Sequence, residues 1–294
     1  MRGMWGFAVL LVVLLAVGTF ADYQIAQAIY APDNPVVIFI SSLGLIPLVY
    51  PICFLLGVLV QRSLVSKKSQ ILRIAGALLC VLLAALAGAL ITRSLLSIRD
   101  GFGGIVGAEL PTLARAGIGV VVGLALCAFG YSAGKKNDAK DLARRMIVVV
   151  VVLVASYLVL EVVKNCMARP RPRTLFAGYE GIVFSPWYSQ TSGTEQLMAT
   201  YGLEKDAFKS FPSGHSLQAV SLLAAFYGVS LVYPSLRQRL GVMLVVEFVF
   251  GLTIMSCRMI LGAHFLSDVS VGALFGVVAF LIIFTQLERK PQKA

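Results

Sequence analysis

Residues 146–163 read MIVVVVVLVASYLVLEVV, an apolar run in which Glu161 is the one charged residue. A run of about this length crosses the hydrocarbon core of a bilayer as a helix. Seven further segments are similarly apolar and are separated by charged, Gly- or Pro-containing sequence: 5–20, 35–60, 74–91, 116–133, 213–233, 240–257 and 269–287. The pattern predicts an all-α, polytopic bundle of about eight membrane-spanning helices, because a barrel would need alternating strands of about ten residues.

The composition excludes a soluble globular protein. Hydrophobic residues make up 59% of the 294 residues and charged residues only 13%, whereas soluble domains carry about 25% charged residues. The five cysteines match neither a zinc site nor a disulfide framework. Cys166 and Cys257 fall on the same predicted membrane face, so the sequence leaves open whether they pair.

The formal net charge of +11 indicates membrane topology rather than a nucleic-acid partner, because basic residues concentrate on the cytoplasmic side of membrane proteins. With the N-terminus threaded inside, 15 of the 25 Lys and Arg residues fall in the inside loops and termini. Both termini are therefore predicted to be cytoplasmic, and no nucleic-acid partner is expected. Segment 5–20 also resembles the core of a signal peptide, but no clean cleavage site follows it, so we expect a retained first helix.

Three polar clusters fall on the outer face in this topology. Residues 164–172 read KNCMARPRP, residues 211–215 read FPSGH, and residues 258–268 read RMILGAHFLSD. Taken singly, each has an ordinary structural explanation: interfacial cations, a helix start and a surface His–Asp pair. Their coincidence on one face, with both histidines of the chain among them, favours a catalytic site.

The cations of these clusters predict a phosphate site. Lys164, Arg171 and Arg258 carry three positive charges, and an arginine matches phosphate oxygens with two parallel hydrogen bonds. Ser213 and Gly214 open a predicted helix, where unpaired backbone N–H groups favour phosphate and glycine lets a ligand approach the backbone. We therefore expect these residues to bind one phosphoryl group.

The two histidines supply candidate reactive groups at that site. His264 and Asp268 are four residues apart, so on a helix they share one face, and the carboxylate can hold the Nδ1–H of the imidazole. The Nε2 atom of His264 is then placed to act as a nucleophile. His215 is the other group that titrates near neutral pH, and it is suited to protonating a leaving oxygen.

The order Lys-x6-Arg-Pro, Pro-Ser-Gly-His and Arg-x5-His-x3-Asp resembles the three motifs of the type 2 phosphatidic acid phosphatase superfamily. Here they run over 164–172, 212–215 and 258–268, and Cys257 stands where the family usually has Ser. Arg169 and Pro170 duplicate the Arg-Pro pair, but the spacing from Lys164 selects Arg171.

The resemblance implies a six-helix core, assigned here to residues 74–294, with its active site at the outer end. Residues 1–73 would add an N-terminal transmembrane hairpin and a cytoplasmic loop. Segment 22–30 is similar, more weakly, to the N-terminal part of longer bacterial members.

The resemblance also implies a metal-independent, two-step hydrolysis that uses no cofactor. His264 would attack phosphorus and form a phosphohistidine, with Asp268 orienting the imidazole and His215 protonating the departing oxygen. The phosphoryl group would be held by five residues: Lys164, Arg171, Ser213, Gly214 and Arg258.

The implied substrate is a lipid phosphate in the bilayer, with the active site on the extracytoplasmic face of the cell membrane. Phosphatidate, phosphatidylglycerol phosphate and polyprenyl diphosphates such as undecaprenyl diphosphate are the candidates. Two alternatives stay open: a lipid phosphotransferase that uses the same intermediate, and a non-catalytic transporter or structural bundle. The sequence does not indicate an oligomeric state.

Three features outside the motifs remain. Glu161 lies one turn before Lys164 and is expected to pair with it. Glu247 lies within an apolar segment, where we expect a protonated carboxyl bonded to a neighbouring helix rather than a proton relay. Segment 174–210 is the longest loop, and it is either a lid that sets selectivity or a solvated connector.

Overall fold

The structure is a computed structural model that describes residues 2–98, 101–108, 110–137 and 139–288. Within those ranges the chain is helical and forms no strand, and eight helical segments are long and apolar enough to cross a membrane. The predicted all-α bundle of eight spans is therefore confirmed. The cytoplasmic placement of the termini stays a prediction, and four residues counted for it, Arg99, Arg289, Lys290 and Lys293, lie outside the described ranges.

The helices run in chain order from the first span to the last: α1 Arg2–Ile29, α2 Pro35–Leu43, α3 Ile46–Leu64, α4 Gln70–Leu95, α5 Gly103–Val106, α6 Thr112–Gly134, α7 Leu142–Met167, α8 Pro172–Phe176, α9 Thr194–Tyr201, α10 Gly214–Ala219, α11 Leu222–Val232, α12 Leu240–Ile260 and α13 Leu266–Glu288. Two short 3₁₀ helices, Lys205–Phe208 and Pro234–Arg239, precede α10 and α12. The short helices α5 and α9 lie in the connections between spans.

Two of the predicted spans are broken helices. The second consists of α2 and α3, which meet at Gly44 and Leu45. The sixth consists of α10 and α11, and the break leaves backbone groups that need partners. A carboxyl oxygen of Glu247 in α12 accepts the backbone N–H of Leu223 at this break. The expected bond from Glu247 to a neighbouring helix is thus present, and it caps the start of α11.

Small residues bring several helix backbones into direct contact. A Cβ added at Gly88 in α4 would lie 2.2 Å from the carbonyl oxygen of Gly119 in α6. A Cβ at Gly272 in α13 would lie 2.2 Å from the carbonyl oxygen of Ser213. No side chain fits at either place, so α4 packs closely on α6, and α13 packs on the start of α10.

The first two spans are packed into the bundle. Helix α1 lies against α13, and α3 lies among α4, α6, α7 and α11. Large apolar side chains cover the outside, as expected for a surface in contact with lipid; Phe20 of α1, for example, is 86% exposed. The division of the chain at residue 73 stays a prediction. All five cysteines are free thiols, with Cys166 exposed and Cys257 buried.

Candidate active site

The three motifs converge at one end of the bundle, and each spans the end of one helix or the start of another. Helix α7 ends at Met167, and Ala168 takes a left-handed conformation with a φ of 46°, which turns the chain toward α8. Ser213 caps α10 by accepting the N–H of Ser216. His264 lies in the short turn between α12 and α13.

Most of the predicted site residues line one cavity of about 850 Å³. Its polar end is lined by six of them: Lys164, Arg171, Gly214, His215, Arg258 and His264. Ser213 and Asp268 are fully buried behind this lining, each with 0% exposure. The structure therefore brings all eight predicted residues to one site, six on its wall and two behind it.

The rest of the cavity is an apolar cleft among α3, α4 and α7, with Ile52 and Ala87 among its lining residues. Leu86 and Leu90 of α4 and Leu158 of α7 also line this cleft, and they are 55%, 54% and 57% exposed. The cleft is therefore open on the outer surface of the bundle between α4 and α7.

Two of the predicted cations are held by acidic residues at the polar end. The Nζ of Lys164 lies 3.2 Å from Oε1 of Glu161, so the expected pair is formed. Arg171 donates from Nε to the backbone oxygen of Asp206 at 2.8 Å and from Nη2 to Oδ1 of the same residue at 2.8 Å. Its Nη1 lies 3.5 Å from Nε2 of His264. These contacts fix the Arg171 guanidinium beside the imidazole.

The imidazole of His264 is oriented by a backbone carbonyl. Its Nδ1 lies 2.6 Å from the carbonyl oxygen of Ser210. A carbonyl oxygen can only accept, so Nδ1 carries the proton, and Nε2, on the side of Arg171, is the unprotonated nitrogen. The prediction that Asp268 holds Nδ1 directly is not met. Oδ2 of Asp268 is 3.9 Å away, beyond hydrogen-bond distance, because it accepts the N–H of Phe265 at 2.7 Å and the hydroxyl of Ser210 at 2.5 Å.

The surroundings of His264 keep it neutral. Burial lowers the pKa of its imidazole well below the ordinary value. The positive charges of the three site cations and the second histidine lower this pKa further: Arg171, Arg258, Lys164 and His215. A neutral imidazole with an unprotonated Nε2 is the form that can attack an electrophile.

Several residues at the site were not predicted from the sequence, Ser210 among them. Asp206, in the 3₁₀ helix Lys205–Phe208 before α10, lines the cavity and binds Arg171. Arg169 is fully buried and binds Asp268 from behind, and its other carboxylate partner is Asp22 of α1. Two features of the sequence could have indicated this pair. Arg169 lies two residues before the motif arginine, and Asp22 is an acidic residue just after the first apolar segment.

The long loop covers part of this end of the bundle. The indole Nε1 of Trp187 donates to the hydroxyl of Thr19 in α1 at 3.0 Å, and its ring lies 5.7 Å from that of Phe211. Together with the Asp206 contact, this packing ties the loop to both α1 and the site. A role of the loop in selectivity stays a prediction.

Among the residues that the structure describes, no group of three or more His, Cys, Asp or Glu side chains is arranged to hold a metal ion. Residues 145–292 match the family described as the PAP2 superfamily, and this range includes all three motifs. No curated protein and no solved structure matches the chain.

Proposed function

The chain belongs to the PAP2 superfamily, and on that premise we propose that it hydrolyses a phosphomonoester or diphosphate of a membrane lipid. Members of this superfamily are phosphatases, which supports a phosphoric ester hydrolase in general. The observation that carries the more specific proposal is the cavity, in which a cationic, histidine-containing end continues into an apolar cleft.

The polar end suits a phosphoryl group. Lys164, Arg171 and Arg258 supply positive charge around one space, and phosphoryl transfer depends mainly on such charge neutralisation and on positioning. Gly214 lines the same space, and a Cβ there would lie 3.2 Å from the Nζ of Lys164. A side chain at this position would crowd both the ammonium group and a bound phosphate. Ser213 shapes the turn that presents Gly214.

In the proposed reaction, the Nε2 lone pair of His264 attacks phosphorus. A P–N bond forms as the P–O bond to the lipid breaks, and the departing oxygen takes a proton from His215. A water molecule then gives a proton to His215, attacks phosphorus and breaks the P–N bond, which releases phosphate and regenerates both histidines. The Ser210 carbonyl and the nearby Asp268 carboxylate stabilise the positive charge on the phosphorylated imidazole.

The apolar cleft suits the hydrocarbon part of the substrate. Its exposed walls on α4 and α7 would meet lipid chains in a bilayer, so an amphiphile can enter sideways with its headgroup toward His264. Phosphatidate, phosphatidylglycerol phosphate and polyprenyl diphosphates all have this form. The positive-inside pattern further supports an active site on the extracytoplasmic face of the cell membrane.

Phosphate release by the purified protein in lipid nanodiscs tests the proposal. The panel contains the three candidate lipids with EDTA present, with and without an acceptor lipid such as diacylglycerol. We expect phosphate release without an acceptor. If phosphate is transferred only when the acceptor lipid is present, the protein is a phosphotransferase. If no lipid in the panel shows vanadate-sensitive turnover, the protein is a non-catalytic bundle. Cys166→Ser, an exposed change within the first motif, serves as the active control.

A further inference from the structure

A fully buried ion network lies behind His264. The guanidinium of Arg169 is 0% exposed, and its Nη1 donates to Oδ1 of Asp268 at 2.5 Å. Its Nη2 donates to Oδ2 of Asp22 at 2.9 Å, and its Nε donates to the carbonyl oxygen of Ser185 at 2.7 Å. The ring of Phe265 covers the guanidinium at 4.2 Å. This arginine is therefore held on every side and does not line the cavity.

The first helix supplies one of the two carboxylates. Asp22 is 3% exposed, and its Oδ1 accepts the backbone N–H of Ser267 at 2.9 Å, while Oδ2 accepts the Ser267 hydroxyl. A Cβ at Gly18, one turn earlier in α1, would lie 2.7 Å from the same Ser267 nitrogen. Helix α1 therefore approaches the start of α13 closely enough for Asp22 to bind it.

The network continues to the imidazole. Asp268 accepts from Arg169 on Oδ1 and from the Ser210 hydroxyl on Oδ2 at 2.5 Å. Ser210 in turn accepts the Nδ1–H of His264 on its carbonyl oxygen at 2.6 Å, and its own N–H donates to the carbonyl oxygen of Arg169 at 3.0 Å. Each link is a hydrogen bond between buried groups.

The charges of the network depend on one another. Two buried carboxylates share one guanidinium, so the three groups carry a net charge of about −1 when ionised. Removing the guanidinium would leave two buried negative charges without their shared partner, so the carboxylates would repel each other and Asp268 would have to move.

We propose that Asp22 and Arg169 are positioning residues that hold Asp268 and, through Ser210, the imidazole of His264. The first helix is then a component of the active site, although it lies outside the residues matched to the family. This inference rests on the phosphatase function proposed above. It predicts loss of turnover with retained substrate binding, because the phosphate-binding cations are untouched.

Four variants test the inference on para-nitrophenyl phosphate. We expect Arg169→Gln to lower kcat about 100-fold, the effect of a small misplacement of a reacting group. Asp22→Asn, which keeps the guanidinium, should misplace the imidazole less and lower kcat about tenfold, with KM nearly unchanged in both variants. Asp22→Asn/Arg169→Gln should recover part of the activity lost in Arg169→Gln, because it removes the excess negative charge. Leu11→Ala, which removes buried packing from the same helix, should lower the melting temperature and leave kcat per folded molecule unchanged.

Two results would overturn the inference: kcat per folded molecule unchanged in both single variants, or losses that simply multiply in the double variant. If Arg169→Gln does not fold, Asp22→Asn and Ser267→Ala, which keep the guanidinium, take its place. They should lower kcat without raising KM.

A second readout does not depend on phosphatase activity. The chain has two histidines, so mass spectrometry can follow the modification of His264 and His215 by diethyl pyrocarbonate separately. We expect Asp22→Asn and Arg169→Gln to change the rate at His264 and not at His215, and the double variant to reverse part of the change. An unchanged His264 rate would overturn the positioning role even if no substrate in the panel were hydrolysed.

Discussion

The Nδ1 atom of His264 lies 2.6 Å from the backbone carbonyl oxygen of Ser210. This contact fixes the tautomer of the imidazole and leaves Nε2 as the unprotonated nitrogen beside Arg171. Substituting the side chain of Ser210 leaves its carbonyl oxygen in place. The orientation of the imidazole therefore depends on how the backbone around Ser210 is held.

Replacing His264 by alanine should abolish phosphate release, because it removes the Nε2 atom that forms the P–N bond in the proposed reaction. The folded state should persist, and orthovanadate should bind more weakly because its covalent partner is missing. When turnover of a radiolabelled substrate is quenched, the wild type should carry an acid-labile phosphoenzyme and His264→Ala should carry none. Normal turnover in the variant would exclude His264 as the nucleophile.

Replacing His215 by alanine should affect substrates according to their leaving groups. An alkyl phosphate needs a proton on the departing oxygen, whereas para-nitrophenolate leaves without one, so the loss should be greatest for lipid phosphates. Formation of the phosphoenzyme should be measured for both substrates in a quenched-flow experiment. Equal losses on the two substrates would contradict the role of His215 as the acid.

The acid limb of the pH profile of kcat/KM should lie below the pH range in which histidine ordinarily titrates. The pKa of His264 is lowered by burial and by the surrounding positive charges, Arg258 among them, so protonation of Nε2 and loss of the nucleophile occur only at lower pH. Arg258→Gln removes one positive charge, raises this pKa and should move the acid limb of kcat/KM to higher pH. Arg258→Lys keeps the charge and should leave the limb in place. An acid limb that does not move in Arg258→Gln would contradict the assignment.

Filling the apolar cleft should discriminate between long and short substrates. Ala87→Phe places a ring in the cleft and should lower kcat/KM for a long-chain lipid phosphate about tenfold. Para-nitrophenyl phosphate needs only the polar end, and its hydrolysis should be unaffected. Leu82→Phe, at a 66% exposed position of the same helix, is the control. Equal effects of Ala87→Phe on both substrates would show that the cleft does not hold the lipid chain.

Changing Glu247 to glutamine should cause only a mild loss of activity, because the amide oxygen can still accept the N–H of Leu223. Glu247→Leu removes that acceptor, and an unpaired buried N–H should lower the unfolding free energy by about 1–3 kcal/mol. Thermal unfolding and phosphate release should be measured together. A folded but inactive Glu247→Gln would instead indicate a proton relay.

The sequence predicts the spans and the lining of the site well, because apolar runs and motif spacings are local features. Arg171, chosen over Arg169 by its distance from Lys164, does line the cavity. The contact between Asp22 and Arg169 joins residues 147 positions apart, and no local pattern indicates it.

The acceptor on His264 could not be read from spacing either. A separation of four residues places Asp268 on the same helical face, but α13 begins at Leu266, so His264 lies before the helix. Asp268 therefore caps the start of α13 at Phe265 and leaves Nδ1 to Ser210. Similarly, the break before α11 depends on an acceptor from α12, which the apolar run 213–233 does not reveal.

The pairing of Asp22 with Arg169 and Ser267 also has a consequence for biosynthesis. Asp22 and Ser267 are 245 positions apart, so α1 leaves the ribosome long before α13 does. The network that holds His264 is therefore closed only when α13 has been inserted beside α1. A nascent chain that still lacks α13 cannot assemble this network, so the arrangement that holds His264 forms late, in the step that brings this last span of the described bundle into place.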